Sequence, residues 1–151
     1  MSGPPRRPAG TRPSHAGRDN AEFLLAMARY LDPAGRSLVE RVYRDGATPT
    51  DLARLSKASP RTVQSRLNRQ IERINSPEFR FVVAHLSVLP RNQRAAMRRF
   101  YLEGRGLRDT ARLTGRTLHE TRKLRLRLDA ELAARMQQWS AVNPGAQKFK
   151  K

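Results

Sequence analysis

Apolar residues recur at three- and four-residue intervals over most of this chain, the spacing of amphipathic helices. In the segment 59–75, Val63, Leu67, Ile71 and Ile74 share one side, and Arg61, Thr62, Gln64, Ser65, Asn68 and Arg69 fill the other. Near the end, Leu124, Leu128, Leu132, Met136 and Trp139 form a second stripe with arginines spread around it. Strict alternation is nearly absent. Its best instance, Phe79-Arg80-Phe81-Val82-Val83, reads as helix because Ser76-Pro77-Glu78 opens it and Ala84, His85 and Leu86 continue it.

Helix start and stop signals divide the pattern. Asp19 with Glu22 predicts a capping box for a helix through Tyr30. Asp32-Pro33, Thr48-Pro49, Ser59-Pro60 and Ser76-Pro77 each pair an N-cap side chain with proline at the first helical position. Leu89-Pro90 opens a helix to Glu103, the segment 107–114 makes a short one, and Thr117 caps a last helix reaching about Trp139. Gly46, Gly104 and Gly115 supply left-handed stops. The expectation is an all-α fold of about eight helices.

The second half repeats the first. Shifted by 58 residues, 31–46 (LDPAGRSLVERVYRDG) lies over 89–104 (LPRNQRAAMRRFYLEG) without a gap, matching Leu31/Leu89, Arg36/Arg94, Arg41/Arg99, Tyr43/Tyr101 and Gly46/Gly104. TDLARL at 50–55 then lies over RDTARL at 108–113. The paired tyrosines read as packing residues of a repeated core. Each copy has the order long helix, glycine, short helix, tight turn, second helix, so its last two helices form a helix-turn-helix. Ala53 and Ala111 are small enough for the close crossing, and Lys57-Ala58-Ser59 and Gly115-Arg116-Thr117 form the turns. The boundaries expected are a first unit at 19–76 and a second at 77–139. Flanking them are basic tails at 1–18 and 140–151, with too little apolar surface to order themselves.

Charge adds a partner to this picture. The 151 residues hold 31 Lys+Arg against 13 Asp+Glu, a net charge of +18, with mean hydropathy −0.73. A surface so cationic favours a polyanion, because phosphate contacts release condensed counterions. There is no cysteine, and His15, His85 and His119 lack ligand spacing, so no metal site and no cofactor are expected. Neither a nucleophile–base pair nor a carboxylate cluster is visible, so no catalytic residue is expected. No apolar run is long enough to span a bilayer and no secretory signal is evident. The chain is therefore expected to act in the cytoplasm, on the nucleoid.

The pattern resembles region 4 of the sigma-70 family, especially the extracytoplasmic-function type. The second copy carries the entry at 89–115, with Leu-Pro, an amphipathic helix and Tyr-Leu-Glu-Gly; the first carries the exit at 59–74, SPRTVQSRLNRQIERI. The resemblance covers about 31–75 and 89–132. It implies bacterial transcription regulation, a recognition helix in the major groove of double-stranded DNA, and RNA polymerase as a second partner. The recognition positions it implies are Arg61, Gln64 and Ser65 in the first unit and His119, Arg122 and Lys123 in the second; Thr62, Asn68 and Arg69 on the polar side of the first helix and Arg116 in the second turn complete the DNA-binding set expected. Thr110, Thr114, Arg116 and Thr121 stand where the family prefers apolar residues, and no segment corresponds to the promoter-melting region 2. A divergent sigma factor is thus a less favoured alternative than a regulator. An architectural protein coating DNA without sequence choice is the other. The leucine stripe of the last helix packs within the chain by default; a second copy is the alternative partner.

Overall fold

Asp32-Pro33, Thr48-Pro49, Ser59-Pro60 and Ser76-Pro77 each begin a helix in the computed structural model, which describes residues 15–142. The helices are α1 (His15–Ala28), α2 (Pro33–Tyr43), α3 (Pro49–Ser56), α4 (Pro60–Asn75), α5 (Pro77–His85), α6 (Arg91–Met97), α7 (Leu107–Thr114) and α8 (Leu118–Val142). The fold is all-α; no strand occurs among the described residues, and the ambiguous segment 79–83 lies within α5.

The caps show why the starts fall where they do. Asp32 accepts from the Gly35 N–H at 3.1 Å. Thr48 and Asp51 form a reciprocal capping box, at 3.2 and 3.0 Å. Ser59 accepts from the Thr62 N–H and Ser76 from the Phe79 N–H. Ser76 also ends α4 by donating to the Arg73 carbonyl, so α4 passes into α5 with no loop between them. Each such cap contributes ~1 kcal/mol.

Three expectations need correction. α1 begins at His15, so Asp19 lies inside the helix instead of capping it; no proline stands between Pro13 and that point to stop the helix running further back. α8 continues to Val142, three residues past Trp139. The helix from Arg91 is not uniformly α: Arg98–Leu102 is a π turn, closed by the Glu103 N–H donating to the Arg98 carbonyl at 2.9 Å. The expected tails otherwise lie outside the described residues; their described parts, 15–18 and 140–142, are helical.

The repeat is as plain in the backbone as in the sequence. α6, α7 and α8 begin 58 residues after α2, α3 and α4, and α7 ends 58 residues after α3. The closing hydrogen bonds recur at the same offset: Ala47 N–H to Arg41 carbonyl at 2.9 Å, and Arg105 N–H to Arg99 carbonyl at 2.8 Å. So do the left-handed residues, Gly46 with Gly104 and Lys57 with Gly115. Even α1 has a counterpart in α5, where buried Val82 takes the place of buried Leu24.

One continuous core serves both copies. Leu24, Val39 and Ile74 from the first join Phe79, Phe100 and Leu128 from the second in a single buried cluster. Burying each such side chain stabilises by ~1.5–3 kcal/mol. A smaller cluster of Leu52, Ala53 and Val63 fastens α3 to α4. The stripe on α8 packs within the chain: Leu124, Leu128 and Leu132 are buried, and Trp139 meets Phe81 and His85 of α5 edge-on at 6.2 and 6.0 Å.

Candidate nucleic-acid interface

α4 buries Val63, Leu67 and Ile74 and packs half-buried Ile71 on the core, which turns its opposite side to solvent. Arg61, Thr62, Gln64, Ser65, Asn68 and Arg69 are all exposed. Five of them line one shallow groove, and Thr62 belongs instead to the cap, its hydroxyl 2.9 Å from that of Ser59. Along the groove the Gln64 amide donates to the Asn68 carbonyl oxygen at 2.8 Å, aligning two planar amides on adjacent turns. Glu72, which the sequence pattern did not single out, closes the far end.

α8 is positioned by its copy of the same machinery. Thr117 caps it by accepting from the Glu120 N–H at 3.1 Å. Thr121, Leu124, Leu128 and Leu132 face inward. His119, Arg122 and Lys123 are exposed, and Arg116 in the turn is half-buried. The inner face of α8 differs from that of α4: Leu124 and Leu128 are buried where α4 carries exposed Arg66 and half-buried Gln70. Arg125 and Asp129 replace Leu67 and Ile71. Arg125 lies 4.7 Å above the Phe100 ring and donates to Asp129 at 3.0 Å, and Asp129 also accepts from the Tyr101 hydroxyl. Burial and that carboxylate push the Tyr101 phenol well above its ordinary range. Tyr43 and Tyr101 are both packed against the core, as a repeated aromatic position should be.

Acidic side chains are spent elsewhere. At the corner between the π turn and α7, Glu103 accepts from Arg99 and Arg105, and Asp109 from Arg105 and Arg112. Those bonds hold the Asp109 carboxyl below its usual range. Among the described residues, no carboxylate pairs with Arg61, Arg69, Arg116, Arg122 or Lys123. Apart from Glu72 at the end of the α4 groove, the cations of both outward faces are thus left without a paired carboxylate among the described residues.

Two further outward residues follow from the repeat. Arg127 stands where α4 has Arg69, and Leu126, 71% exposed, where α4 has Asn68. A separate groove of about 290 Å³ between α2, α3 and α4 is lined by Leu38, Leu52, Leu55, Val63 and Arg66 among others, and Leu55 stands out from it. No cluster of His, Asp or Glu among the described residues could hold a metal ion, and no helix of the structure is long and apolar enough to cross a membrane. No protein-family model matches the chain, and neither curated proteins nor solved structures gave a match.

Proposed function

We propose that this chain is a DNA-binding transcription regulator of sigma-70 region 4-like build, which docks α4 and α8 in the major groove of duplex DNA. One observation carries the proposal. Two helices in equivalent places, each the second of a helix-turn-helix, turn outward a row of cationic and hydrogen-bonding side chains, the cations without a paired carboxylate among the described residues. A helix of this diameter fits the major groove, and its outward arginine, amide and hydroxyl groups are the types that meet base edges and phosphates there. The net charge of +18 supports a polyanionic partner. RNA polymerase, as a second partner, rests on the motif resemblance and would account for exposed Leu55 beside its groove.

The test is selection from a random duplex pool at moderate salt, followed by affinity measurement over a salt series. The proposal expects an enriched motif and an affinity that falls steeply with salt. Tight binding with no enrichment would favour the architectural reading, and absence of binding to duplex would end both. Recovery of polymerase with the tagged chain from cell extract tests the second partner.

A further inference from the structure

The two outward faces differ chemically, and the repeat register makes the difference legible position by position. On α4 the outward quartet is Gln64, Ser65, Asn68 and Arg69; on α8 the same positions hold Arg122, Lys123, Leu126 and Arg127. An amide, a hydroxyl and a second amide have become a guanidinium, an ammonium and an exposed leucine. From these differences we infer a division of labour, resting on the DNA-binding reading above: α4 selects the base sequence, and α8 lies in its groove as a sequence-blind clamp on the flanking phosphates.

Three observations carry this. Amides pair two-fold with adenine edges and arginine with guanine edges, each only when its direction is held; α4 has two amides while the matching turns of α8 carry only cations and a leucine. Those amides are also held in place, because Gln64 donates to Asn68 at 2.8 Å, so little freedom is lost when they meet a base. Arg122 and Lys123 have no such tether among the described residues. They are among the side chains costliest to immobilise, which suits a contact that needs proximity to a charge more than a fixed direction. Finally, α8 is tied to the π turn by Asp129, which accepts from the Tyr101 hydroxyl, and by Arg125 over the Phe100 and Tyr101 rings, polar contacts that Leu67 and Ile71 at the same positions of α4 cannot make. The clamp helix is thus fastened to the body while its outward cations stand exposed, with no hydrogen bond or ion pair among the described residues.

The experiment compares the full chain with Q64A/N68A and R122A/K123A, all four positions being exposed, with melting curves to confirm that both variants fold. Each is put through duplex selection and a salt titration of affinity. The expected result is that R122A/K123A selects the wild-type motif but shows a log–log salt slope shallower by about 2, at roughly 0.9 for each phosphate no longer neutralised. Q64A/N68A should keep the wild-type slope and lose positions from the motif. A motif shortened by R122A/K123A, or left whole by Q64A/N68A, would overturn the division. Wild-type binding without any motif would overturn the selecting role of α4 while leaving duplex binding intact. Failure of the wild type to bind duplex would strike the underlying reading itself.

Discussion

Thr110 and Leu52 occupy the same place in the two copies, both buried in the first helix of a helix-turn-helix, and exchanging their chemistry should move stability in opposite directions. Thr110 is fully buried and its hydroxyl has no hydrogen-bond partner. Leaving such a group dry and unpaired costs ~1–3 kcal/mol. Thr110→Val keeps the branched shape and the helix propensity while removing the orphan, so it should stabilise by ~1–2 kcal/mol. For a chain of this length that raises the melting midpoint by roughly 3–6 °C. Thr121 is the control. It is equally buried, but its hydroxyl donates to the Thr117 carbonyl at 2.8 Å, so Thr121→Val exchanges one satisfied bond for relief from desolvation and should be near neutral. Leu52→Thr imports the second copy's chemistry into the first and should cost ~2–4 kcal/mol through poorer packing. Urea unfolding followed by circular dichroism gives all three values, provided the slope against denaturant stays constant. If Thr110→Val proved no more stable than Thr121→Val, the assignment of an unpaired hydroxyl beneath α7 would be wrong.

Three other expectations follow from the same geometry. Gly46 and Gly104 both sit at positive φ, 73° and 66°, but a Cβ at Gly46 meets open space while one at Gly104 would overlap the Arg73 guanidinium. Gly46→Ala should therefore cost ~1 kcal/mol of backbone strain, and Gly104→Ala about the same plus the small cost of swinging the half-buried Arg73 guanidinium aside, measured by the same unfolding assay. Asp51, held by the Thr48 backbone and hydroxyl, and Asp109, held by Arg112 and Arg105, have carboxyls lowered on folding. Their contribution is present above about pH 4 and disappears as pH falls through the lowered folded values, so an Asp51→Asn/Asp109→Asn variant should show a flatter acid limb of stability against pH. Tyr101 is raised on folding, by burial first and then by Asp129. Its contribution is complete below about pH 10 and is lost as pH climbs toward the folded value, so Tyr101→Phe should be less stable at neutral pH yet lose less in alkali.

Much of this architecture was written locally. A hydroxyl or carboxylate followed by proline fixes φ and satisfies an N–H at one stroke, so α2, α3, α4 and α5 could be read from four dipeptides. The 58-residue register then carried the second copy, because helix starts and left-handed stops recur together. What escaped was set by tertiary contact. The π turn at Arg98–Leu102 places Phe100 and Tyr101 against Arg125, a pairing no helical periodicity can announce. α1 reaches back past Asp19 because a cap residue permits a start without forcing one. The outward residues of α4 were legible since an amphipathic stripe defines its own opposite side. On α8 the leucines and arginines alternate, so the stripe alone left Leu126 and Arg127 unassigned; only the register with Asn68 and Arg69 places them outward.

If α4 and α8 dock as proposed, their outward faces are the surfaces that meet duplex DNA. Titrating a duplex bearing the selected motif into isotope-labelled protein and following backbone amide shifts would map the interface residue by residue. The largest changes should cluster at Arg61–Arg69 and at Arg116–Lys123. Changes centred on α1, α5 or the groove beside Leu55, with those two segments undisturbed, would refute the docking.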